Sequence, residues 1–340
     1  MAVVVKSGLK LLRTVAGENS TLESSLRKRY RDLKPSLKSS YAVRNYRAIK
    51  GRVQKRYFDD NYAMFWAGSH RENRVGIYAY GSCDLPPIFS AIPSIQKVLD
   101  GTCCIIRDGT ISYSRSDLMV QTMRELPEGL KREVTEKLKL EPFYFQPRLF
   151  QPKFTVTGPF GTQEFPKKLV LLSIGADVVR TVYKHRETGL LADPGAWWLD
   201  QSMDKVLKDQ DTLNWFRKNF QSIGRIRVEE FAQNFSQVIR RLKQDTGAHV
   251  MVFNLLTVEP GNPTHNFQFV KDPHSMRRRE FNLALVELSQ KLDFPVLDVD
   301  RVLKRTGISA TQVDFAHSPA EAYGPVSSQA FGIMRELNIF

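Results

Sequence analysis

The sequence predicts an α/β fold with a mostly parallel five-stranded sheet and amphipathic helices on both of its faces. Two observations carry this. Five short segments rich in β-forming residues alternate with stretches of helical periodicity, and each strand is apolar along nearly its whole length. A sheet face open to water would place a polar residue at every second position. Near-continuous apolar strands therefore belong to a sheet covered on both sides.

The first strand is VGIYAY (75–80), closed by Gly81-Ser82-Cys83-Asp84. Pro86 and Pro87 follow and suit the first turn of a helix over IFSAIPSIQKVL, where a missing N–H costs nothing. CCIIR (103–107) is the second strand, ended by Asp108-Gly109, and KLVLLSIG (168–175) is the third. Residues 228–247 place Phe231, Phe235, Val238, Ile239 and Leu242 on one stripe at spacings of three and four, and Gly247 stops that helix. HVMVFNLLTV (249–258) is the fourth strand. Residues 278–292 repeat the helical stripe with Phe281, Leu285 and Leu288, and FPVLDV (294–299) is the short fifth strand. The last helix, 318–337, opens with Ser318 as N-cap, Pro319 at the first helical position and Glu321 three residues after the cap.

Two stretches interrupt the alternation, at about 118–167 and 184–226. Both exceed the length of simple loops and are expected to carry structure or function of their own. Trp197-Trp198, in the second, suits either a sugar-stacking platform or an anchor holding the insertion to the body. The chain thus divides into a basic, partly helical N-terminal arm (1–73) and an α/β domain with two insertions (74–340).

Composition narrows the function classes. With 340 residues, 42% hydrophobic and 25% charged, the chain has the apolar content of a globular protein, not of a disordered one. No apolar run approaches the ~18–20 residues that span a bilayer. Three cysteines, two of them adjacent at 103 and 104, match neither a disulfide framework nor a zinc site. The N-terminus lacks the pattern of a secretory leader, so the expected compartment is the reducing cytoplasm. Of the net charge of +14, residues 1–56 carry +12, from 15 Lys/Arg against Glu18, Glu23 and Asp32. Tyr30, Tyr41, Tyr46 and Tyr57 are interleaved with these bases. Such an arm is a solvated extension, or else touches an anionic surface such as the inner face of a membrane. Nucleic acid, though physically compatible, is not the expected partner, because no recognition motif accompanies the charge.

Ligands of an open parallel sheet bind beyond the carboxyl ends of its strands. That rule selects Gly81–Asp84, Asp108–Ser112, Gly175–Asp177, Thr257–Asn262 and Asp314–His317. These segments hold a hydroxyl and a thiol in a tight turn (Ser82, Cys83), a histidine just before a helix (His317) and an aspartate three residues earlier (Asp314). The set suits nucleophilic catalysis. His70, His185 and His249 show no metal-ligand spacing, and His265 and His274 fall in a loop after the fourth strand.

Asp314-Phe315-Ala316-His317-Ser318-Pro319, followed by Tyr323-Gly324, resembles the Asp-x-x-His-Pro block of the SGNH/GDSL hydrolase superfamily. Residues 280–303 resemble the helix and strand before that block, and Gly175-Ala176-Asp177 resembles its Gly-x-Asn-Asp block. The likeness spans roughly 74–117, 167–183 and 228–340. It implies a three-layer α/β/α, flavodoxin-like fold without a cofactor, and acyl chemistry through an acyl-enzyme. The family's Gly-Asp-Ser turn reads Gly81-Ser82-Cys83 here, similar to cysteine-bearing branches linked to polysaccharide acylation. Strict alignment makes Cys83 the nucleophile, and a shift of one residue makes it Ser82. His317 would take the nucleophile's proton and Asp314 would orient the ring. Oxyanion or substrate contacts fall to Gly109 or Ser112 and to Asp177. Asp177 departs from the family's Asn: an ionised carboxylate repels developing negative charge, and losing one oxyanion donor costs ~10²–10³ in rate. It would serve only if protonated or turned toward another partner.

The expected activity is hydrolysis or transfer of an O-acyl group, on a carbohydrate, a surface polysaccharide or a small ester. A transferase would need an acyl donor such as acyl-CoA. The alternatives are a catalytically silent member of the fold that binds a glycan or a partner, and a membrane- or polyanion-associated protein whose arm is the working element.

Overall fold

The computed structural model describes residues 54–57, 62–67, 74–81, 101–107, 115–141, 143–158, 161–195, 202–257, 274–307 and 323–339. In chain order, β1 (Gln54–Tyr57) pairs antiparallel with β2 (Tyr62–Ala67), and β3 (Arg74–Tyr80) pairs parallel with β4 (Gly101–Arg107). Then come α1 (Ser116–Gln121), α2 (Glu128–Leu138), the hairpin of β5 (Thr155–Gly158) and β6 (Gly161–Glu164), and β7 (Lys167–Ser173). They are followed by α3 (Gly175–Val179), β8 (Val182–His185), β9 (Leu191–Ala192), α4 (Met203–Val206), α5 (Gln210–Asn219) and β10 (Phe220–Gly224). The chain continues through α6 (Val228–Thr246), β11 (His249–Phe253), α7 (His274–Leu292), β12 (Val296–Leu297), α8 (Val299–Arg305) and α9 (Tyr323–Glu336).

The main sheet has the order β1-β2-β4-β3-β7-β11-β12. Its last five members are parallel and are the five strands expected from the sequence. Taken in chain order, they stand second, first, third, fourth, fifth, which is the flavodoxin-like doubly wound arrangement. Strand order reverses between β3 and β7. The sheet has two more strands than expected, because β1 and β2 extend its β4 edge as an antiparallel pair. They lie inside the segment whose charge makes it read as an arm. The run YAMFWA of β2 has ordinary β-forming composition.

Period-two alternation explains why the parallel strands are apolar throughout. Tyr78, Tyr80, Val170, Leu172, Val250 and Val252 face one core, against α1, α6 and α7. Val75, Ile77, Ala79, Leu169, Leu171, Met251 and Phe253 face the other, against α8 and α9. The stripe expected on α6 is wholly buried, and Gly247 closes the helix in the left-handed conformation at φ 59°. Gly76 marks a close approach within β3. A Cβ there would lie 3.0 Å from Phe165 Cβ and 3.1 Å from Phe154 Cδ1.

The two insertions pack on each other. Val134 and Leu138 of α2 share a small core with Leu190, Ala192, Leu213, Phe216 and Phe220. Gln121 bonds both ways with Leu191: its Nε2 donates to the carbonyl and its Oε1 accepts from the N–H. Trp215 Nε1 donates to Glu133 at 2.8 Å. The order β10-β8-β9 makes a second, three-stranded sheet in this accessory layer. Among the described residues no helix is long and apolar enough to cross a membrane.

Candidate functional site

Register fixes the level of the carboxyl rim. Tyr80 pairs with Leu172 in the parallel β3–β7 ladder, and Phe253 pairs with both Ser173 and Leu297. The chain therefore leaves β3 at Gly81 and β7 at Ser173–Ile174 at one height, on the two strands that flank the reversal of strand order. Ligand crevices of doubly wound sheets lie at that place. Of the candidate site residues, Asp177 is described. Ser82, Cys83, Gly109, Ser112, Asp314 and His317 lie outside the described residues, as do Trp197 and Trp198.

Asp177 sits in the first turn of α3 with no exposed surface. Its Oδ1 accepts two hydrogen bonds from Ser116, 2.8 Å from the backbone N–H and 2.6 Å from the hydroxyl. Helix α1 has no side-chain cap from Arg115, so Asp177 supplies one from 61 residues away. Its Oδ2 is buried and has no hydrogen-bond partner among the described residues. Burial, only partly offset by the two Ser116 bonds, raises the Asp177 pKa from 3.8 to about 7. The residue is thus turned toward another partner through one oxygen, and stays a neutral acid well into the range where an ordinary aspartate is ionised.

The surroundings are unusually charged for a buried region. Arg115 is buried and fully engaged. Its Nη1 donates to the carbonyls of Arg180 (2.9 Å) and Gly224 (2.7 Å), while Nε and Nη2 grip Asp117 at 2.9 and 2.6 Å. Arg180 and Asp193 form an ion pair at 2.7 Å, with side chains 2% and 0% exposed. Burial outweighs the attraction of Arg180 and raises the Asp193 pKa to about 6. Tyr144 Oη accepts from the Asp193 N–H at 2.8 Å. From α7, Arg277 donates to the carbonyls of Asp177 (3.0 Å), Val178 (2.8 Å) and Ile226 (2.5 Å). It places positive charge at the end of α3, where carbonyls lack intrahelical partners. Desolvation lowers the Arg277 pKa to about 10, which leaves it charged at neutral pH. These groups clamp α3 to the accessory layer and to α7.

The exit of β11 is held as firmly. Asn254 Nδ2 donates to Asp298 (2.8 Å), and its Oδ1 accepts from the Asp300 N–H (3.1 Å). Asp300 Oδ1 accepts from both the N–H and the hydroxyl of Thr257, at 2.7 and 2.8 Å. Asn282 and Arg278 of α7 bond the backbone of Leu255 and Leu256. The carboxyl rim is therefore rigid under two of its exits, from side chains on α7 and α8.

Sequence reasoning did not single out Ser116, Arg115, Arg180, Asp193 or Arg277. Their one visible signal is the density of charged residues in otherwise apolar surroundings, which does not reveal who pairs with whom. His185 is buried, its Nδ1 3.1 Å from the Thr188 hydroxyl and its ring edge-on to Phe220, and is a packed residue of the accessory layer. Among the described residues no group of His, Cys, Asp and Glu is arranged to hold a metal ion.

No protein-family model and no curated protein matches the sequence. Among solved structures, the chain is similar to a catalytic mutant of an acetylxylan esterase from Geobacillus stearothermophilus. Identity is 9%, the match covers 78% of this chain and 94% of that one, and the TM-score is 0.38. It is also similar to a lipase/acylhydrolase from Enterococcus faecalis (13% identity, 77% and 96% covered, TM-score 0.38). A third is a member of the lipolytic G-D-S-L family from Veillonella parvula (8% identity, 77% and 98% covered, TM-score 0.37). The fold itself is defined by this chain's own strand order and register.

Proposed function

We propose that this protein is an acyl-ester enzyme of the SGNH/GDSL type, a hydrolase or an O-acyltransferase, acting on an acylated carbohydrate or a small ester. The observation that carries the reading is the reversal of strand order between β3 and β7. It sets the start of the Gly81-Ser82-Cys83 turn and the Gly175–Asp177 segment side by side at the carboxyl rim, as nucleophile and oxyanion groups would require.

In this reading Cys83 or Ser82 attacks the ester carbonyl. His317 takes the nucleophile's proton and returns it to the leaving alcohol, and Asp314 holds the imidazole in the required tautomer. Water or a sugar hydroxyl then accepts the acyl group. The N–H at Gly109, or the Ser112 backbone, is the candidate donor to the oxyanion, while Asp177, with no exposed surface, supports the rim from beneath through Ser116.

A second reading has one observation in its favour. The two bonds from Ser116 give Asp177 a structural task as the cap of α1, sufficient to explain a carboxyl group there without catalysis. A silent fold that binds a glycan or a partner fits that role.

Hydrolysis of p-nitrophenyl acetate by the full chain separates the two. The enzyme reading expects turnover that falls at least ~10²-fold in His317→Ala and in one of Cys83→Ala and Ser82→Ala, the sensitive one being the nucleophile. Turnover equal in all four proteins would remove the proposed triad.

A further inference from the structure

Helix α7 is apolar on two sides. Phe281, Leu285 and Leu288 enter the core, while Met276, Leu283 and Val286 stand 60%, 65% and 44% exposed. Met276, Leu283 and Val286 recur at spacings of seven and three, so they share the outer face of the helix. Arg279, Glu280, Glu287 and Gln290 are exposed on the same face, among and around them. A surface helix ordinarily turns a charged face to water. Three of the four large apolar side chains exposed among the described residues share this face, which marks it as an interaction face rather than a scatter of surface residues.

The charges on this face specify a partner. Leu283 is the midpoint of the 19-residue helix. A two-fold axis through it sets residue 279 opposite 287, 280 opposite 286 and 276 opposite 290. Arg279 of one copy then meets Glu287 of the other, twice by symmetry, about 6 Å along the axis on either side of a Leu283–Leu283 contact. At the 8–10 Å separation of packed helices both side chains reach that far. Parallel pairing in register would oppose Arg279 to Arg279 and Glu287 to Glu287. Neither residue has an ion pair among the described residues, so both charges are available.

We propose that the outer face of α7 is the interface of a two-fold dimer, in which α7 packs antiparallel against α7 of a second copy of this chain about Leu283. Leu283 supplies the apolar contact at the axis, with Met276 and Val286 flanking it, and the Arg279–Glu287 pairs fix its direction and register. The inference is independent of the catalytic reading.

Sedimentation of the full chain across a concentration series tests it. The expected result is a reversible monomer–dimer equilibrium, shifted to monomer by Leu283→Glu with an unchanged circular dichroism spectrum and melting curve. Arg279→Glu and Glu287→Arg should each weaken association by about tenfold or more, and the double exchange should restore it to within about threefold. A chain monomeric at all concentrations would overturn the proposal. So would a dimer indifferent to Leu283→Glu, or a double exchange no better than either single one. A monomer whose melting curve responds to Leu283→Glu would show the face covered by the chain's own residues, and would overturn it as well.

Discussion

Raising the pH through neutrality takes a proton from a carboxyl group whose second oxygen is buried and has no partner among the described residues. Asp177 ionises near 3.8 in an unfolded chain and near 7 in the native one, because burial penalises its charge. Between these values the native state holds a proton that the unfolded state has released, so native stability falls as pH rises through the window. Below about pH 4 both states are protonated and the penalty is absent. Above about pH 7 both are ionised and the full penalty applies. A shift of about three units corresponds to about 4 kcal/mol. Asp177→Asn keeps an acceptor for Ser116 and removes the charge. Urea unfolding of both proteins from about pH 4 to about pH 8 isolates the residue, since the other titrating groups largely cancel in the difference. The Asn variant should gain on the native chain by up to about 4 kcal/mol across the window, nearly all of it before pH 7. Parallel curves would mean that Oδ2 is solvated in the native state.

Two further perturbations probe the framework. Gly76→Ala places a methyl group 3.0 Å from Phe165 Cβ, so it should cost about 1–3 kcal/mol in chemical denaturation; a neutral result would show that Phe154 and Phe165 give way freely. Arg180→Met leaves Asp193 buried without its cation. It should cost about 3–5 kcal/mol by the same assay and raise the Asp193 pKa above its value of about 6; a loss below about 1 kcal/mol would mean that the pair is not desolvated.

The core strands and the α6 stripe were legible because their signal is local. Phe231, Phe235, Val238, Ile239 and Leu242 announce a buried helical face by spacing alone, and all five are fully buried. The fifth strand was longer in prospect than the two residues that pair, since apolar neighbours at 294–299 do not say where a ladder stops. The final helix was expected from Ser318 and is described from Tyr323 onward. The β1–β2 pair was hidden by composition: basic residues around it dominate the charge balance, and edge strands tolerate that charge. At the site, Asp177 stood out because it stands where the Gly-x-Asn-Asp block it resembles has Asn. Its tie to Ser116 left no trace in either segment.

What the residues determined by themselves is the set of elements and which of their faces are apolar, because periodicity and end signals act within a turn or a strand. The two-sided sheet follows from that alone. The tertiary structure decided which surfaces meet: β3 and β7 adjacent at the reversal of strand order, two distant insertions closing one small core, and Arg180 set against Asp193. It also turned Asp177 from a surface-type residue into a buried acid capping α1 from 61 residues away. Such pairings balance desolvation against attraction between partners remote in sequence, and that balance exists only after the chain has closed around them.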